Sequence, residues 1–191
     1  MIKKINKIFR VVLILFAVYY LIKFTMLKDI TKILTCLCVP ILVILPKYVK
    51  DKVNDKLVFI YYFYIFILLV LGCLARFYSL FTYYDVFAHF MSGFASSLIA
   101  LYILNYFKIQ NKNIILNIIM VVSVTLAVAS FWEIFEYTAS IIFKDDVQNV
   151  LKTGVRDTME DIIASLIASM LFIFVYVLKK DKLNRTIWQN I

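Results

Sequence analysis

Glycine and proline are scarce in this chain of 191 residues, three and two respectively, and charge is thin: 17% of the residues are charged and 64% are hydrophobic. A soluble domain of this size is far less apolar, so that class is excluded and a polytopic membrane protein is expected. There is one histidine, and there are only 12 acidic residues. The three cysteines form neither a disulfide framework nor a metal pair. Cys36 and Cys38 are two apart, which turns them to different faces of a helix, and Cys73 lies in another apolar run. No small-x-small cleavage pattern follows Tyr20, so the basic start and first apolar run read as a retained helix, not as a secretory signal. No repeat, low-complexity tract or linker divides the chain. It reads as a single transmembrane domain over 1–191, with three leading spans in 1–80 and the site-bearing spans in 81–180.

Six apolar runs are present, at about 8–27, 30–45, 57–74, 86–107, 114–135 and 159–178, each near the ~20 residues that a bilayer requires. The expected fold is therefore an all-α bundle of six transmembrane helices. The second run carries Lys32 and Pro40, which predicts a tilt, a kink or a snorkelling lysine. Arg10 and Lys23 bracket a short core in the first. A net charge of +9 would suggest nucleic acid in a soluble chain, but here the basic residues lie in the short polar joints, so nucleic-acid binding is excluded.

Those basic residues orient the chain. With the N-terminus inside, the inner joints hold Lys3, Lys4, Lys7, Arg10, Lys47, Lys50, Lys52, Lys56, Lys108, Lys112, Lys179, Lys180, Lys182 and Arg185. The outer set is half as large: Lys23, Lys28, Lys32, Arg76, Lys144, Lys152 and Arg156. Both termini are therefore expected to be cytoplasmic. The longest connection, 137–156, predicts a short helix over 147–152, capped by Asp146 and ended by Gly154, that acts as an ordinary surface helix or as a lid over the outer face.

Chemistry-bearing residues gather at one end of spans four to six. Asp85 and His89 are stacked at i, i+4 where span four begins; Glu133 and Glu136 are an i, i+3 pair where span five ends; Asp157, Glu160 and Asp161 share one side where span six begins, beside Arg156. If each run crosses once, connectivity puts all of them on one membrane face. Half of the chain's acids thus meet its only histidine, and ionised carboxylates ~4 Å apart repel by several kcal/mol at an effective dielectric near 20. Protons, abundant water or a bound cation must relieve that repulsion.

Helix capping accounts for some of these acids but not all. Asp85 and Asp157 suit N-caps, and Glu160 and Asp161 suit a first turn. Glu133 and Glu136 fit neither role, because they lie at a helix end where the dipole disfavours negative charge, or inside the helix if it runs on through Phe143. Small residues at four-residue spacing continue below the clusters and predict close helix packing: Gly93 with Ser97, Ser92 with Ser96 and Ala100, Ala164 with Ala168, Ser165 with Ser169. Asn105 and Asn117 read as interhelical or interfacial hydrogen-bonders.

The strings YDVFAHFMSG, FWEIFEY and GVRDTMEDI, in this order on consecutive spans, resemble the YjdF-like family of small bacterial integral membrane proteins. More distantly, an Asp and a His opening one span, an acid closing the next and an Arg–Asp opening the last resemble VanZ-like proteins, which are associated with glycopeptide resistance. The likeness covers about 84–168, and Glu136 and Glu160 depart from the VanZ pattern. The resemblance implies a multi-pass protein of the bacterial inner membrane and brings no defined reaction with it.

The donor set, oxygen with one imidazole, suits Mg, Mn, Zn or Fe and excludes a soft thiolate site. The expected metal ligands are Asp85, His89, Glu133, Asp157 and Asp161. Glu136 and Glu160 are left for acid–base work, and Arg156 for the anionic part of a lipid-linked or envelope substrate. The same acids would serve a proton- or cation-coupled transporter, although spans four to six lack a charge at mid-depth. A structural or regulatory role in which the acids order helix ends is the third expectation.

Overall fold

The computed structural model describes residues 1–48, 53–107, 109, 114–144 and 150–188. Lys50, Lys52, Lys108, Lys112 and Asp146, with residues 147–149, lie outside them. Among the described residues all regular structure is helical. Six segments are long and apolar enough to cross a membrane: Ile2–Leu27, Ile30–Lys47, Asp55–Leu74, Tyr84–Tyr106, Ile114–Ile142 and Arg156–Leu178. One compact unit is built on Met1–Tyr84 and a second on Asp85–Lys180.

In the first unit α1 (Ile2–Leu27) buries Asn6, Leu13, Ala17 and Phe24, a stripe that recurs every one or two turns. It meets Val39 and Val43 of α2 (Ile30–Ile44) and Tyr62 and Ile65 of α3 (Asp55–Ile65). The joint between α1 and α2 is tight because both helix ends are satisfied locally. Lys28 is left-handed (φ 56°), its N–H and that of Asp29 reach back to Thr25 and Phe24, and Asp29 Oδ1 accepts from the Lys32 N–H. Lys32 Nζ turns to Asp29 as well, so it stays at the helix start.

Pro40 sits inside α2, and a 3₁₀ turn over Leu45–Lys47 follows the helix. Carbonyls of its last turn are taken up from α3: the Tyr61 hydroxyl donates to Leu42 O at 3.0 Å and the Tyr62 hydroxyl to Val43 O at 3.1 Å. The third span changes character midway. Beyond Ile65 the chain winds as a π-helix over Phe66–Leu74, closed by Ala75 N–H on Val70 O, and Tyr84 donates to Ile67 O at 2.8 Å. A four-residue helix α4 (Phe77–Leu80) follows Arg76, itself left-handed at φ 66°. The apolar run gave no sign of the π-helix or of α4.

The second unit contains α5 (Tyr84–Tyr106), α6 (Ile114–Phe143), α7 (Val150–Thr153) and the transmembrane part of α8 (Arg156–Trp188). Each long helix turns one stripe inward, rich in small residues on α5 and α8. On α6 the buried positions Asn117, Val121, Thr125, Ala129 and Glu133 follow at four-residue spacing; on α8 they are Asp161, Ala164, Ser165, Ala168, Ser169, Phe172 and Tyr176. On α5, Gly93 marks the closest approach: a β-carbon there would overlap the Ser165 carbonyl oxygen and lie 2.8 Å from Ala168 Cβ. Ser97 Oγ donates to Gly93 O and lies 3.2 Å from Thr125 Oγ1, which ties α5 to α6.

Two expected boundaries need correction. α6 runs on through Phe143 instead of ending near 135, the second of the two placements expected for Glu133 and Glu136, so both lie within it; the residues beyond stay helical, with Thr138 and Ser140 hydroxyls bonded to carbonyls four residues back. Asp85 and Asp157 are first-turn residues of α5 and α8, one position inside the helix, rather than caps. Gly154, at φ 64°, follows α7 as expected. Gly93→Ala should lower stability by about 1–3 kcal/mol through overpacking, read as a lower thermal midpoint in detergent; an unchanged midpoint would mean that the two backbones can separate freely.

Candidate metal centre

The three stripes of the second unit end together in charge. α5 supplies Asp85 and, one turn on, His89; α6 supplies Glu133, which continues its buried four-residue ridge; α8 supplies Asp161, which heads the ridge of Ser165 and Ser169. His89, Glu133 and Asp161 are 4%, 5% and 1% exposed, so this end of the bundle is closed to bulk water at its centre.

Around His89 Nε2 stand Glu133 Oε1 at 3.7 Å, Asp85 Oδ1 at 3.8 Å and Asp161 Oδ2 at 3.9 Å. All three distances exceed a hydrogen bond, which closes at about 2.7–3.2 Å. They are slightly longer than the ~3.4 Å edge of a tetrahedral shell with metal–ligand bonds of ~2.1 Å. Two overlapping groups, Asp85–His89–Asp161 and His89–Glu133–Glu136, each offer ligand atoms within 4.8 Å of one another. His89 Nδ1 and Asp161 Oδ1 are buried with no hydrogen-bond partner among the described residues. The His89 backbone is tied to α8: Ser165 Oγ donates to the His89 carbonyl at 2.9 Å.

The structure brings Asp85, His89, Glu133, Glu136 and Asp161 together. Asp157 is half-buried one turn before Asp161 and belongs to neither ligand group. Arg156 and Glu160 form a pair of their own: Arg156 Nε donates to Glu160 Oε1 at 2.7 Å, with side chains 78% and 45% exposed. Two contributors emerge that the motifs did not assign. Trp132 Nε1 donates to Glu136 Oε1 at 2.8 Å, a pairing that its i, i+4 spacing could have disclosed. Ser165 was legible as a packing residue, and only the crossing of α5 and α8 shows its bond to His89.

Fold and site together define a class: a polytopic helical membrane protein with a buried His/Asp/Glu cluster. The chain matches, over residues 5–182, the family described as "Predicted membrane protein (DUF2238)", and it belongs to that family. The YjdF-like family suggested by the motifs corresponds to it, whereas the VanZ likeness rests on those motifs alone. No curated protein and no solved structure matches the chain.

The crowding of carboxylates has a measurable cost. Ionised carboxylates within 4.8 Å repel by about 3–4 kcal/mol at an effective dielectric near 20. In chelator-treated protein Asp161→Asn should therefore raise stability by about 1–2 kcal/mol, seen as a higher thermal midpoint. A lower midpoint would show that Asp161 is held by attractive contacts instead.

Proposed function

We propose that this protein is a divalent-cation-dependent enzyme of the bacterial inner membrane, a hydrolase or transferase acting at the outer face on a lipid-linked or envelope substrate. The observation that carries this reading is the ring of three carboxylate oxygens 3.7–3.9 Å from one buried imidazole nitrogen, contributed by three helices. Asp85, His89, Glu133 and Asp161 would hold the ion. The three carboxylates are hard donors and the imidazole a borderline one, and the cysteines lie in the other unit, which suits Mg, Mn, Zn or Fe. A bound ion of this kind supplies Lewis acidity toward a phosphoryl or carbonyl oxygen and makes water easier to deprotonate.

The remaining residues take roles from their positions. Glu136 is half-buried at the edge of the cluster, oriented by Trp132, and is the general base. Asp157, one turn before Asp161, completes the shell or replaces one of its members. Arg156, exposed at the start of α8 and tied to Glu160, receives the anionic part of the substrate. Placement at the outer face, with both termini cytoplasmic, is supported by the excess of Lys and Arg in the inner joints.

A second reading, translocation of protons or cations, is favoured by one observation. Ser97, Thr125, Ser169 and Asn117 are buried deeper in the same unit, so polar atoms continue below the cluster. Flux in proteoliposomes that Asp161→Asn abolishes would put this reading first.

Elemental analysis of detergent-purified protein tests the leading one. About one divalent ion per chain is expected, with at least tenfold weaker retention in His89→Ala and Asp161→Asn. Glu136→Gln should keep the ion and lose turnover. Metal content unchanged in His89→Ala would overturn the assignment.

A further inference from the structure

The first unit carries a second concentration of charge, of opposite sign, that the metal centre does not use. Where α1 ends, α2 begins and the π-helix ends, the chain places Lys23, Lys28, Lys32 and Arg76 with one acid, Asp29. Packing brings these ends together, since Phe24, Cys36 and Leu74 form one buried cluster. Lysines at a membrane rim ordinarily extend apart into water. Here two converge on one ring: Lys32 Nζ is 5.2 Å and Lys23 Nζ 5.8 Å from the centroid of Phe24, which is 3% exposed, and Lys23 Nζ is also 5.8 Å from Tyr20. Tyr20 and Phe24 are stacked, with centroids 5.8 Å apart and planes at 13°, so the ammonium groups rest on a fixed aromatic platform.

Asp29 neutralises part of this charge. Burial raises its carboxyl, but hydrogen bonds from Lys32 and the charges of Lys32 and Arg76 outweigh burial and hold it below its usual range. With four basic side chains and one acid, positive charge remains in excess. Arg76 is exposed and lies beyond the last turn of the span, where its planar fork can donate to two oxygens of one phosphate. Apolar side chains on the adjoining turns, Ile22, Met26, Leu27 and Ile30, are 60–81% exposed.

We infer that this end of the first unit is a binding site for the headgroup of an anionic phospholipid. Lys23, Lys32 and Arg76 hold the phosphodiester, and the exposed apolar side chains of α1 and α2 lie along the acyl chains. The apolar flank favours a lipid over free phosphate, which would use the basic groups alone.

The test is native mass spectrometry of full-length protein released from nanodiscs that contain equal phosphatidylglycerol and phosphatidylcholine. Wild type is expected to retain phosphatidylglycerol at least tenfold over phosphatidylcholine. The Lys23→Gln/Lys32→Gln/Arg76→Gln variant should lose the preference, and Lys4→Gln/Lys7→Gln, at the other end of α1, should keep it. Lys23→Arg/Lys32→Arg should also keep it, which separates charge from folding. If the triple variant fails to fold, Arg76→Gln alone, exposed and outside the core, should reduce retention severalfold. Equal retention by wild type and the charge-neutral variants would overturn the proposal, as would displacement of the lipid by millimolar inorganic phosphate, which would identify a free-phosphate site.

Discussion

A single imidazole nitrogen faced by three carboxylates is the constraint on which the second unit is built. Such a group is unfavourable in a low-dielectric bundle unless something of opposite charge is shared among its members. Helices that carried it without restraint would part to let water in. They are held by contacts that leave little freedom: Gly93 against the Ser165 backbone, the Ser165 hydroxyl on the His89 carbonyl, and Ser97 beside Thr125. Each is made by a small or hydroxylated residue, because a larger side chain would hold the backbones apart.

The first unit is stabilised differently. Its stripe is made of larger side chains, Leu13, Val39, Val43, Tyr62 and Ile65, and its polar bonds complete helix ends. Tyrosine hydroxyls reach the carbonyls of α2 in a span interrupted by Pro40, and Asp29 and Asn54 cap the helices that follow them. The π-helical half of the third span offers Ile67 O to Tyr84. Here polar atoms serve the backbone; in the second unit hydroxyls do so as well, but the carboxylates and the imidazole face one another.

Much of this was legible in the sequence because helical periodicity is a local property. The i, i+4 spacing of Asp85 and His89 put both on one face, and the ridge of Ser165 and Ser169, extended back one turn, arrives at Asp161. Glu133 likewise lies on the ridge of Asn117, Val121, Thr125 and Ala129. Spacing alone could not divide the triplet of Asp157, Glu160 and Asp161, because i, i+3 and i+4 share a side. The division depends on a neighbour: Glu160 heads the adjacent ridge and turns to Arg156, while Asp161 faces His89. The π-helix was hidden for a related reason. A run such as Phe66–Leu74 is apolar at every position, so it carries no periodicity from which the winding could be read.

Helix ordering alone is a poor account of the cluster. A group that served packing would be replaceable by aliphatic side chains, since a buried charged assembly gives less stability than hydrophobic residues of the same volume. Acids that served the helix dipole would stand in first turns, as Asp85 and Asp157 do, but Glu133 lies deep in α6 and gains nothing from it. The chain has 12 acids and one histidine, and it places four of those acids and that histidine in one cluster at the end of the second unit. Burial, like charge and the absence of hydrogen bonds between the imidazole and its three carboxylates all disfavour the arrangement by itself. What they have in common is that a bound divalent cation would reverse each of them: it would satisfy the buried oxygens and convert their mutual repulsion into shared attraction, across gaps that are too wide for hydrogen bonds.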